Sequence, residues 1–399
     1  MDVPPLRFPG FSVEWERVKV SDLLDFFSTN SLSWDMLNYE NGKILNLHYG
    51  LIHKDLPTIV NMKDANLPFI NNDKIPKNYT ICESGDVAFA DASEDTNDVG
   101  KAIEFINIDR DIVCGLHTIH GRDKTDITVD GFKGYLFSSK AYHNQIRRIA
   151  QGTKIYSISS KNMDEIYLGI PSKREQEKIF ALLYAIDRRI ATQNKIIEDL
   201  KKLKSAIIET EILHNTEADI IQLSNICNEA KQIKEEKPTY ERIITVRLHA
   251  KGVCRSTAEN LELGATQYYI RNSGQLIYGK QNFHNGAIGL IPDTLDKGLT
   301  SKDIPSFDIN SNICNPTYLL YQLQHPSFYE PVEAFTTGSG SKRLKEKDFL
   351  SLQIKLPSKD KQDKIAYSIT KISDKIEFEN QILTLFQKQC QYLLSQMFI

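Results

Sequence analysis

Between Ile170 and Leu213 apolar residues fall at alternating steps of four and three: Ile179, Leu183, Ile186 and Ile190, then Ile197 and Leu200. The same spacing returns near the C-terminus at Ile365, Ile369, Ile372 and Ile376, then Leu383 and Phe386. A stripe of this period predicts a long helix with a coiled-coil seam, roughly 60 Å long at about 1.5 Å per residue. Both stripes skip one position, where polar Gln193 and Glu379 stand. The two stretches are also copies, with Pro357 set against Pro171 at an offset of 357 − 171 = 186 residues. At that offset Ile170-Pro171-Ser172-Lys173 meets Leu356-Pro357-Ser358-Lys359, and Gln176, Lys178-Ile179, Ile190 and Asn194 meet Gln362, Lys364-Ile365, Ile376 and Asn380. One such stripe reads first as an ordinary buried helix face. Two matched stripes predict a chain of two similar halves whose helices pack on each other, antiparallel if a pseudo-twofold axis relates the halves.

Each helix carries its own start signal. Ser172 and Ser358 stand where a side chain caps the first exposed amides, and Glu175 completes a capping box in the first copy, where the second has Lys361. The domain entrances also repeat: Trp15 to Leu23 and Ile221 to Ile226 each alternate apolar residues as a short strand, then offer a Ser to begin a helical turn. Between entrance and helix come short strand-like runs and many turn residues. Ser84-Gly85-Asp86 leads into Val87 to Ala90 as Ser273-Gly274-Gln275 leads into Leu276 to Gly279. Tyr135-Leu136-Phe137 answers Tyr318-Leu319-Leu320, and Gln151-Gly152-Thr153-Lys154 answers the loop from Thr337 to Arg343. The fillings otherwise differ, which fits two binding domains of different specificity and equally fits plain divergence after duplication.

Composition narrows the class. The 399 residues leave room for two or three domains, and the apolar and charged fractions are those of a soluble globular protein. No apolar run approaches a membrane span and the N-terminus has no secretion pattern, so a cytoplasmic protein is expected. Cys82, Cys114, Cys227, Cys254, Cys314 and Cys390 form no CxxC pair, and they are expected as small buried residues without disulfides or bound metal. A net charge of −3 excludes a generally basic coat and leaves local basic patches open.

Three signals of chemistry are incomplete. Asn315-Pro316-Thr317-Tyr318 is one residue away from the NPPY-like loop of amino-methyltransferases, but Thr317 departs from it and no glycine-rich cofactor loop follows a strand. The residues read better as a helix start, Asn315 capping and Pro316 first. His117-x-x-His120 is half a metal site with no further ligand pair nearby, and is expected as a loop with two polar rings. Gly338-x-Gly340-x-Lys342 is too short for a phosphate-binding P-loop, although glycines there let amides and Lys342 or Arg343 approach a phosphate.

The Phe8-Pro9-Gly10-Phe11 opening with Trp15, the two Pro-Ser-led helices with Gln-Glu/Asp-Lys-Ile starts, and a Gly-rich loop before each resemble the specificity subunits of type I restriction–modification systems over nearly the whole chain. The resemblance implies an α+β fold: two mixed α/β target recognition domains separated by two long helices packed as an antiparallel coiled coil. It places them at 1–165, 170–213, 217–350 and 356–399. It further implies a non-catalytic subunit that reads a two-part asymmetric DNA target. Its partners would be double-stranded DNA, two modification subunits and restriction subunits, with no membrane. This chain would hold no cofactor: S-adenosylmethionine, ATP and magnesium serve the partner subunits. The first Gly loop lacks the Arg of the second, which leaves a matched phosphate role there in doubt.

For such a protein a rigid helix pair acts as a ruler, and half-sites about 34 Å apart lie on one face of the duplex. Base reading calls for Arg, Lys, Asn, Gln or His on loops. The candidates are Lys101, His120, Arg122, Lys124 and Lys154 in the first half, and Arg247, Lys280, Gln281, Asn282, His284, Lys342 and Arg343 in the second. Any one of them is also a plausible solvated side chain. Arg188, Arg189, Lys201 and Lys202 mark a candidate partner surface on the first helix. The competing reading is a coiled-coil scaffold whose duplicated domains bind protein or small ligands.

Overall fold

The computed structural model describes residues 3–54, 56–257, 263, 266–335 and 343–399. The chain divides into two units, residues 1–195 with 380–399, and residues 196–379. Both are built on one plan. In the first, the entrance strand Glu16–Lys19 lies antiparallel to Tyr167–Ile170, with Glu16 opposite Ile170. In the second, Asp219–Gln222 lies antiparallel to Gln353–Leu356, with Asp219 opposite Leu356. The strand that enters each domain is thus zipped to the strand that leaves it for a long helix. The expected helical turns follow, at Val20–Leu23 and, as a tighter 3-10 turn, at Leu223–Asn225.

A central strand follows each Ser-Gly turn. Val87–Ala90 is buried along its length, between Thr118–Asp123 and Ala102–Ile106 in a five-stranded mixed sheet. Leu276–Tyr278 holds the same place between Ser306–Ile309 and Ile288–Leu290 in a four-stranded antiparallel sheet. Gly85 and Gly274 turn the chain into these strands at φ of 88° and 78°, where a Cβ would be strained. The fillings differ as the sequence suggests. The first unit adds a second sheet, whose Leu45, Leu47, Ile112 and Cys114 share a core with Ala88, Ala90, Ile103 and Phe105 of the first sheet. The second adds a three-stranded sheet and the hairpin Ile244–Val246 with Val253–Arg255. Tyr135 and Tyr318, the matched tyrosines, lie on short helices, Phe132–Leu136 and Pro316–Leu323. Asn315 caps the latter as expected, its Oδ1 accepting from the amides of Thr317 and Tyr318 at 2.9 and 3.1 Å.

The long helices run over Lys173–Ile207 and Lys359–Gln396, and the first ends in a π-helical turn, Ile208–Leu213. Within the first unit they run antiparallel. Asp187 Oδ1 accepts from Cys390 Sγ at 3.7 Å and Arg189 lies over the Phe386 ring, while Ile179, Leu183 and Ile186 share a core with Leu393, Met397 and Phe398. In the second unit the end of the first helix, through Ile212, shares a core with Ile365 and Ile369 at the start of the other. The seam is not broken at the skipped positions, because Gln193 and Glu379 are buried, 7% and 6% exposed. Ile190, Leu200, Ile372, Ile376, Leu383 and Phe386 are half-buried.

The capping box does not form. Glu175 is buried, and both its oxygens accept from the Arg7 fork at 2.7 and 2.8 Å, since a guanidinium satisfies a buried carboxylate better than one amide does. The repeated device is the glutamine one residue on. Gln176 Nε2 donates to Pro171 O and Ile127 O while its Oε1 accepts from Val129 N; Gln362 makes the same bonds to Pro357 O, Ile313 O and Asn315 N. Each helix start is clamped to the loop ahead of the short domain helix by one amide that spends both N–H groups and its oxygen.

Candidate nucleic-acid interface

The exit of each central strand is held by the same three-way junction. In the first unit Asp91 follows Val87–Ala90; its amide donates to His117 O and its carbonyl accepts from Ile158 N. In the second unit Lys280 follows the corresponding strand; its amide donates to Asp303 O and its carbonyl accepts from Leu344 N. Three chain segments therefore meet at one backbone geometry, and the side chains placed there differ. Asp91 Oδ1 lies 3.2 Å from His117 Nδ1 in the first half. In the second, Lys280 Nζ lies 2.6 Å from Glu346 Oε1 and Arg343 Nη1 lies 3.0 Å from Asp303 Oδ1. Burial pushes the Asp91 carboxyl up, and the adjoining His117 ring opposes that rise. His117 holds φ of 55°, a left-handed backbone that presents its half-exposed ring outward.

Beside the first junction lies a groove of 790 Å³ lined by rings. Trp34 stacks on His48 with centroids 4.3 Å apart, and Tyr49 meets His117 edge-on at 5.2 Å and His53 at 6.0 Å. Lys101 Nζ donates to the backbone of one lining residue, His53 O, at 3.0 Å. Burial holds the His48 ring below its ordinary pKa, and its Nδ1 accepts from Gly50 N at 3.1 Å. In the second unit the hairpin tip, with His249 and Ala250 at φ of 57° and 56°, bonds to the Phe283–Asn285 turn through His249 N to Asn285 O and Ala250 N to Gly286 O. Arg247 and Asn282 are exposed on these two neighbouring loops, and His284 is half-buried.

The sequence matches the family model of the type I restriction modification DNA specificity domain twice, over residues 12–202 and 218–385. The chain belongs to this family. It is a DNA target-recognition subunit. Its fold is similar to that of the type I restriction–modification S subunit from M. genitalium, at 16% identity over 100% of this chain and 99% of that one, with a TM-score of 0.60. It is also similar to a chain from a structure that addresses complex assembly and conformational transition of the type I R-M system, at 14% identity over 98% of both chains, with a TM-score of 0.51. No curated protein matches the sequence.

The specificity subunit places the twelve sequence candidates unevenly. Lys101 spends its ammonium on His53 O beside the groove, and exposed Lys154 neighbours Ile155, which lines that groove. Lys280, Asn282 and Arg343 gather at the second junction, with Gln281 exposed between them and His284 on the adjoining turn. Lys342, and the Gly338-x-Gly340 loop with it, falls outside the described residues. His120 is not a reader: it lies inside Thr118–Asp123, 1% exposed, with Nε2 2.7 Å from Asp86 Oδ2. Nor is His117-x-x-His120 a loop with two polar rings, because His120 lies in a strand that turns its ring inward. Arg122 spends its donors on Asp86, Glu83 and Ile81 O, and Lys124 holds Ser21 O and Asp25. Trp34, His48, Tyr49 and His53 were missed by sequence reasoning, because rings scattered through loops carry no spacing signal.

Proposed function

We propose that each half reads one part of a split, asymmetric DNA sequence, and that the chain places two modification subunits, and restriction subunits with them, on that target. The carrying observation is the repeated junction: one backbone scaffold, filled with Asp91, His117 and aromatic rings in one half and with Lys280, Asp303 and Arg343 in the other. A duplicated frame with unlike polar fillings suits two readers of unlike base patterns, since base edges are told apart by where donors and acceptors stand.

The same reading makes the chain non-catalytic. Methyl transfer to adenine belongs to the modification subunits with their S-adenosylmethionine, and ATP-driven cleavage with magnesium belongs to the restriction subunits; this chain holds none of these cofactors. The work is done in the cytoplasm. Among the described residues no helix is long and apolar enough to cross a membrane, which fits that setting. Arg122, Lys124, Lys280 and Arg343 are paired with carboxylates on this chain, so the isolated subunit binds DNA weakly and the assembled complex supplies the remaining contacts.

The test is a band-shift selection with the assembled complex on a randomised duplex library. A split consensus with an unread gap is expected. Binding with no split preference would defeat the reading.

A further inference from the structure

The polar interior of the two domains is built at matching positions with different chemistry. In the second domain Arg271, 2% exposed, ends the middle strand of the three-stranded sheet, with Nε on Thr300 Oγ1 at 2.7 Å and Nη1 on Ser306 Oγ at 2.9 Å. Strand register identifies the counterparts. Ile270 pairs with Leu299 as Ile81 pairs with Val113, and Ile277 with Ser306 as Ala88 with His120. Arg271, Thr300 and Ser306 therefore correspond to Cys82, Cys114 and His120. One domain keeps a buried cation of its own at this place. The other offers two thiols and an imidazole instead, all three residue types that bind soft metal ions.

We propose that Cys82, Cys114 and His120 bind a structural, thiolate-favouring divalent cation, zinc(II) in the first instance, inside the first recognition domain. The three ligand atoms lie within 4.8 Å of one another, and the two sulfurs are 3.6 Å apart. Two sulfurs on one tetrahedral zinc, each at about 2.3 Å, stand roughly 3.8 Å apart. All three residues are at most 2% exposed. The shell around them is that of a metal-bound histidine: Nε2 faces Asp86 Oδ2 at 2.7 Å, which leaves Nδ1 for the ion. Arg122 in turn forks onto Asp86, Nε to Oδ1 at 2.9 Å and Nη2 to Oδ2 at 2.8 Å. Charge closes as well. Two thiolates balance the dication, the imidazole is neutral, and Asp86 balances Arg122.

Three protein ligands are one short of a closed structural site, so a solvent molecule completes the shell and the ion is held less tightly than by four cysteines. Its role would be to tie three distant segments together: the lead into the central strand at Cys82, the end of Ile112–Cys114, and the strand that His117 precedes. The inference concerns how the first domain is held and does not depend on which bases it reads.

The full-length chain, expressed with zinc and freed of loose metal by gel filtration, is assayed by elemental analysis and by cobalt(II) substitution. Close to one metal per chain and a thiolate-to-cobalt charge-transfer band are expected, both lost in Cys82→Ala and Cys114→Ala. A chelator should lower the Tm of the native chain. The triple change Cys82→Arg, Cys114→Thr, His120→Ser copies the second domain and should give a metal-free protein whose Tm ignores the chelator. A native chain without metal and without the cobalt band overturns the proposal, as does metal retained by Cys82→Ala; the native readout decides even if a variant fails to fold.

Discussion

Glu104 is completely enclosed, and its two oxygens accept from the amides of Gly131 and Gly134, each at 2.7 Å, with Lys133 Nζ 3.2 Å away. Burial pushes its carboxyl up to about 7, against the pull of Lys133 and both amides. The unfolded chain releases that proton near 4.5, so between the two values the native state binds more protons and stability falls as pH rises. The loss from this group amounts to on the order of 3 kcal/mol across the window and levels off above about pH 7. Glu104→Gln should flatten that slope in chemical denaturation run from pH 5 to 7.5; an unchanged slope would count against it. The reach of sequence reasoning at this scale is uneven. Asn315 as a helix cap was legible, because capping is local and depends on residues two and three places on. His120 was misjudged, because its partners Asp86, Cys82 and Cys114 come from other chain segments and only the fold brings them together.

At the scale of elements, the repeated helix start shows what a matched residue means. The likeness of Gln176 to Gln362 was visible in the sequence, but its reason was not, since the loop groups it holds lie 47 and 49 residues away in the chain. Each glutamine satisfies one buried amide and two carbonyls, so Gln176→Ala and Gln362→Ala should each cost about 1–3 kcal/mol. Denaturant titration of both variants checks this, and a cost under about 0.5 kcal/mol, the range of ordinary surface changes, would refute the clamp. The seam was legible from period alone. That its two polar positions are buried was not, because a polar letter in an apolar stripe looks like a gap. The capping box failed for a related reason: Arg7, 168 residues before Glu175, competes for the same carboxylate.

For the whole molecule, duplication was the most legible feature, carried by the fixed offset of the two helix starts, and the resemblance turned it into a fold and a function that the family match confirms. The base-reading surface was only partly legible: Lys280, Asn282 and Arg343 share a junction, whereas the rings beside His117 come together only in three dimensions. If the halves read independently, Lys280→Ala with Arg343→Ala should weaken recognition at one half-site only. Trp34→Ala with His117→Ala should weaken the other. Competition band shifts with singly altered half-sites measure both, and equal loss at both halves for either pair would contradict independence. The most direct test of the central claim is to sequence the methylated sites in cells that carry this chain with its modification subunits, and in cells without it. The account predicts one split motif, two short read parts around an unread gap of fixed length, present only with the chain; an undivided motif, or the same methylation without the chain, would contradict it.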